Sequence, residues 1–244
     1  MEEPPEIHLV ESRSILAASG STGFRTWEAA LYLGKFLCSF SGNRLVKNKS
    51  VLELGMGTGF LSILCAHHLG AKYVLATDGC GDVVEKFVAH PSFHDGEKGA
   101  IVPAVLSWGS SDLCDSIGDS QKQGKFDLII GADVTYDPSS IPLLVSTIFE
   151  VLSQSADSVA MIAATVRNEN TIQVLLNTCV HYRIVVEEIM IPDEDQGRQQ
   201  GFFHPTSTPI RILVLSLCRK RDPEHALKEG LADRYRRIIG PENF

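Results

Sequence analysis

The chain has 244 residues; 22 Lys and Arg stand against 30 Asp and Glu for a formal net charge of −8, and hydrophobic residues make up 44%. That length holds one α/β domain with additions at its ends, and the apolar fraction suffices for a sizeable core. An acidic chain of pI about 5.5 offers no general field for a phosphate backbone, which excludes nucleic acid as the first expected partner.

In chain order, Met-Glu-Glu-Pro-Pro opens the sequence with acid where a secretory leader is basic and then apolar, and no apolar run reaches the roughly 18 residues of a membrane span. A loose alternation over 7–17 predicts a strand or hairpin, within an N-terminal segment 1–25. Thr26 is the expected N-cap of a helix from Trp27 to about Phe40, whose Ala30, Leu31, Leu33, Phe36 and Leu37 form one stripe.

From residue 50, β-branched apolar runs alternate with helical periodicity. Strands are expected at 50–54, 73–77, 100–106, 126–132, 158–165, 182–190 and 210–217, and helices at 60–69, 80–89, 139–152 and 168–179. Pro142 sits in the first turn of its helix, where a missing N–H costs nothing. The expected fold is a seven-stranded, mostly parallel Rossmann-like α/β sheet with helices on both faces, occupying 26–218. The polar loop 192–208 is a candidate substrate-facing element, and the charge-dense segment 219–244 reads as a short surface helix or a tail.

Cys38, Cys65, Cys80, Cys114, Cys179 and Cys218 form no C-x-x-C pair and read as small buried thiols in a reducing compartment. His67 and His68 share an apolar helix, and His90 and His94 flank Pro91 in a loop without fixed geometry, so no metal is expected. No G-x-S-x-G elbow is present.

Val51-Leu52-Glu53-Leu54-Gly55-Met56-Gly57-Thr58-Gly59-Phe60 is a strand running through a glycine-rich turn into a helix. Gly55 permits the tight turn, Gly57 a ligand close to bare backbone, and Gly59 close helix packing. Asp78 ends the next strand, 19 residues past Gly59, where a carboxylate can accept both ribose hydroxyls of an adenosine ligand or cap the helix that follows. A dinucleotide loop wants glycine at the sixth motif position to admit a pyrophosphate, and Phe60 occupies it. The ligand that fits G-x-G-x-G with Glu53 beforehand is S-adenosylmethionine, which has a sulfonium and an amino acid in place of pyrophosphate.

Over residues 20–217 the chain resembles the seven-strand, class I S-adenosylmethionine-dependent methyltransferases, and within them lysine methyltransferase family 16. The likeness rests on Gly23-Phe24-Arg25-Thr26-Trp27-Glu28-Ala29-Ala30, Val51 to Gly59, Leu106-Ser107-Trp108 and Gly131-Ala132-Asp133-Val134-Thr135-Tyr136. Ala164-Thr165-Val166-Arg167-Asn168-Glu169-Asn170-Thr171 is similar to a segment of the elongation factor 2 lysine methyltransferases.

The resemblance implies that Trp27, Gly55, Met56, Gly57, Asp78, Trp108 and Ala132 line the cofactor site, and that Asp133 and Tyr136 face the methyl and the incoming amine. It also implies a cytoplasmic enzyme acting on a protein, elongation factor 2; a monomer is expected, and the nucleus stays open as a location. Methyl transfer to an amine is an in-line displacement that chiefly needs alignment. The acceptor lysine must also be uncharged, which at pH 7 costs about 4.6 kcal/mol for an ammonium that ordinarily titrates at about 10.4. Asp133 could orient the amine or take its proton through water, with Tyr136 and the loop at Arg167 and Asn168 shaping the channel. Another protein, a small-molecule amine, or a cofactor-binding adaptor without chemistry are the alternatives.

Overall fold

The structure, a computed structural model, describes residues 6–11, 23–89, 99–110, 125–191, 202 and 207–217. Seven apolar runs become strands: β1 (Ser50–Leu54), β2 (Tyr73–Asp78), β3 (Ala100–Val105), β4 (Leu128–Ala132), β5 (Val159–Thr165), β6 (Ile184–Ile189) and β7 (Ile210–Leu217). They form one sheet in the order β3-β2-β1-β4-β5-β7-β6. All neighbours are parallel except β7, which runs antiparallel to both β5 and β6. The near-continuous burial of β1, β2, β4 and β5 is what a sheet covered on both faces requires.

The helices are α1 (Glu28–Cys38), α2 (Phe40–Val46), α3 (Phe60–Ile63), α4 (Gly81–Val88), α5 (Ile141–Gln154) and α6 (Glu169–His181). α1, α2, α3 and the turn that follows α3 pack Leu33, Leu37, Leu45, Phe60 and Leu64 against Val51, Val74, Ile130 and Met161. Opposite them, α5 and α6 bury Leu144, Val145, Ile148 and Leu175 against Leu52, Leu54, Ile129 and Ile162. α4 lies with α1 to α3, since Val83 and Phe87 join Ala76, which shares a strand face with Val74.

Several expectations need correction. Thr26 does not cap α1: Trp27 is the cap residue and makes no side-chain cap bond, while the Thr26 hydroxyl lies 2.8 Å from that of Thr58. The predicted helix to Phe40 stops at Cys38 because Ser39 turns extended. Its Oγ accepts the Gly42 N–H at 3.1 Å and so starts α2, an element the periodicity did not single out. A side chain at Gly42 would strike the backbone of Phe36, so glycine lets α2 fold back on α1. The predicted helix 60–69 is α only through Ile63 and widens to a π turn over Leu64–His68. β4 starts at Leu128, because the Asp127 carboxylate is engaged with the Ser50 N–H and Lys49. β6 begins only after Arg183, whose φ of 55° breaks from α6.

Residues 6–11 form no strand, though Ile7 and Leu9 pack on the core; the rest of the predicted hairpin lies outside the described residues. So do segment 219–244 and most of loop 192–208, of which Phe202 sets its ring edge-on to Phe60 at 4.9 Å. Cys65 and Cys179 are buried as expected, but Cys38 is exposed at the end of α1 and Cys80 only partly covered. Among the described residues no helix is long and apolar enough to cross a membrane, and no three His, Cys, Asp or Glu side chains gather as metal ligands.

Candidate active site

Between β1 and β4 the strand order turns from one side of the sheet to the other, and the carboxyl ends of strands open into a crevice at such a switch point. A cavity of about 690 Å³ lies there, within the range of small-molecule sites. Trp27, Gly55, Met56, Gly57, Asp78, Trp108, Ala132, Asp133 and Tyr136, the nine residues singled out from the sequence, all line it.

At one end the turn after β1 is held by backbone. The Met56 N–H donates to the Thr77 carbonyl at 2.8 Å and the Gly59 N–H to that of Met56 at 2.8 Å. Gly57 and Gly59 both take positive φ, 53° and 76°, a region that costs other L-residues roughly 1–2 kcal/mol. A Cβ on Gly59 would also sit 2.0 Å from the Phe87 ring, so the close packing there is against α4. Asp78 joins the loop to the next strand: one oxygen accepts the Gly57 N–H at 3.1 Å, the other the Cys80 N–H at 3.0 Å. It is therefore a helix-cap partner and a cavity wall at once, and each oxygen keeps a lone pair. Burial pushes its carboxyl up against the opposing pull of those N–H groups. Trp108 follows β3 on a loop pinned where the Gly109 N–H donates to the Thr147 hydroxyl of α5 at 2.9 Å.

Glu53 is 2% exposed on the cavity floor, and its carboxylate accepts the Ser62 hydroxyl. Burial raises its pKa to about 8, so it is largely protonated at neutral pH.

The other end belongs to β4 and β5. Asp133 has φ 52° and is 8% exposed. Its Oδ1 accepts the Thr165 N–H at 2.8 Å and its Oδ2 the Thr165 hydroxyl at 2.9 Å. Arg167 Nη2 stands 3.6 Å from Asp133 Oδ2 and 3.4 Å from Glu28 Oε2, and its guanidinium carbon is 5.2 Å from the Trp27 ring centre. Arg25 also approaches Trp27, at 4.8 Å, and binds Glu28 at 2.6 Å. Tyr136 is 63% exposed at the mouth over buried Val134. Reasoning from sequence gave no role to Arg25 or Thr165, and named Glu53 only as the acid before the glycine turn.

The cavity's cations, Arg25 and Arg167, are both paired with Glu28. The residues fit an adenosine carrying a positively charged group: a carboxylate with spare acceptor capacity beside the turn, an indole wall at Trp108, and Asp133 at the far end.

A glycine turn after β1, an acid closing β2 and an antiparallel β7 define a class I methyltransferase fold, for which S-adenosylmethionine is the cofactor. A solved bacterial methyltransferase domain, CtHen1-C, shares it with a TM-score of 0.54 and 14% identity, over 78% of this chain and all of that one. The lysine methyltransferase family profile matches residues 13–177, and the chain belongs to that family. It is 43% identical over 216 residues to the protein-lysine N-methyltransferase EFM3 of Chaetomium thermophilum, covering 87% of this chain and 63% of that one. It is 26% identical to the protein-lysine N-methyltransferase EEF2KMT of Bos taurus, covering 86% and 65%. The chain thus spans slightly less than two thirds of either relative.

Proposed function

We propose that the chain methylates a lysine side chain of a protein, and that the protein is translation elongation factor 2. When bound, the cofactor supplies an electrophilic methyl group on a sulfonium. Asp78 accepts its ribose hydroxyls, Trp108 covers the adenine, and the N–H-lined turn at Gly55, Met56 and Gly57 with Ala132 brings backbone against it. Trp27 closes the opposite wall. At the other end Asp133 and Tyr136 flank the amine, Asp133 held by Thr165 so that the amine meets a fixed carboxylate. Alignment and exclusion of water are what this reaction demands.

The observation that carries the reading is the meeting of the β1 turn and Asp78 through the Gly57 N–H in the same cavity as Asp133 and Tyr136. The name EEF2KMT and the Thr165-Val166-Arg167-Asn168 segment support the acceptor. The full chain incubated with methyl-tritiated cofactor and purified elongation factor 2 is expected to label one lysine. Absence of label on that protein, with label on another factor in an extract, would redirect the acceptor and leave the chemistry; absence of any label would remove the transferase reading.

A further inference from the structure

We propose that Arg167 occupies the seat of the acceptor's own cation: its guanidinium stands where Asp133, Glu28 and Trp27 receive the ammonium of the incoming lysine, and it swings out as that lysine docks. This rests on the lysine-methylating reading above and names how the acceptor end of that site is filled.

The ionic contacts around Arg167 are loose. Its Nη2 lies 3.4 Å from Glu28 and 3.6 Å from Asp133, both beyond the usual span of a charge-assisted hydrogen bond, and its side chain is 47% exposed. Exposed pairs of that kind hold little free energy. Its partners each have another partner as well. Asp133 keeps Thr165 at 2.8 and 2.9 Å, Glu28 keeps Arg25 at 2.6 Å, and Trp27 keeps Arg25 at 4.8 Å. The set therefore stays assembled when Arg167 leaves.

Charge decides what would replace it. Asp133 and Glu28 bring two negative charges, and Arg25 and Arg167 balance them. Without Arg167 the set is one positive charge short, beside an indole that attracts cations through its ring face. That is a site for a single monocation on an aromatic wall, which is the chemistry of a protonated lysine. Arg167 follows β5 and reaches Asp133 just past β4, while Trp27 and Glu28 follow Thr26, whose hydroxyl lies 2.8 Å from that of Thr58 in the β1 turn, so the seat spans the cleft between that turn and the end of β4.

The test uses the full chain and n-butylammonium chloride as the probe, with the Trp27 indole N–H signal followed by NMR and sodium chloride of equal ionic strength as the blank. The Arg167→Gln variant is expected to bind the probe about fivefold or more tightly than the parent, and Arg167→Lys, which keeps the charge, to stay near the parent. Equal or weaker binding in Arg167→Gln, or an unmoving signal in every variant, overturns the proposal. Calorimetry of the parent chain with S-adenosylhomocysteine runs beside it: no binding there sinks the methyltransferase reading, whereas binding there without a gain in Arg167→Gln sinks only the role given to Arg167.

Discussion

At the β1–β2 end of the cleft the groups that face a ligand are backbone N–H groups and the Asp78 carboxylate from residues 55–80, with the Trp108 indole beside them, whereas at the β4–β5 end they are side chains from α1 and the turns past β4 and β5. Glu28 and Arg167, which meet at 3.4 Å, are far apart in sequence. The first end is specified by local chain geometry and the second by long-range pairing, so the two should fail differently when altered.

Gly59→Val attacks the local end twice, through its positive φ and the Phe87 ring behind it. With roughly 1–2 kcal/mol for the φ and 1–3 for overpacking, we expect a loss of about 3 kcal/mol in denaturant unfolding and no measurable S-adenosylhomocysteine binding. Thr165→Val removes the hydroxyl that Asp133 accepts and keeps the N–H. About 2 kcal/mol should be lost, the scale of a hydrogen bond to a charged group, while calorimetry finds cofactor-product affinity within about twofold of the parent. Equal damage to that affinity in both variants would show that the two ends are one unit.

Asp78→Asn replaces an acceptor that serves the Gly57 and Cys80 N–H groups. A tenfold weaker binding of S-adenosylhomocysteine, about 1.4 kcal/mol, is expected with thermal stability changed less. Glu53 sharpens the picture through pH. Its folded pKa of about 8 lies above the ordinary 4.5, so between those values the native state holds a proton the unfolded chain has released. Its contribution to stability is therefore complete below about pH 4.5 and is lost as pH rises to about 8, by up to about 1.4 kcal/mol per pH unit. Urea midpoints at several pH values should show that slope in the parent and its removal in Glu53→Gln, which can still accept the Ser62 hydroxyl. Smallest of all, Val180→Ser on α6, at a position 75% exposed and remote from both ends, should alter stability by less than about 0.5 kcal/mol.

The same division governs what could be read from residues alone. The strand runs, the glycine turn and Asp78 were legible because each is a short pattern whose physics is local: period, positive φ, an acid at a strand end. The nine lining residues, Asp133 and Tyr136 among them, were found partly through family likeness. The Asp133–Thr165 clasp and the gathering of Arg25, Glu28 and Arg167 on Trp27 depend on which strands lie side by side, and no spacing in the chain announces that. α2 escaped notice because its start depends on Ser39 turning extended and on Gly42 fitting under Phe36, a tertiary fact.

Because β7 lies between β5 and β6 in the sheet, β6 has no neighbour until the last described strand has been synthesised. During translation the edge of β5 and both edges of β6 stay open while residues up to 210 leave the ribosome, and only then can the two gaps be filled in a single event. A chain ended by a stop codon at position 205 would keep those edges bare, and such edges pair with other chains; its fate is aggregation and not a smaller enzyme.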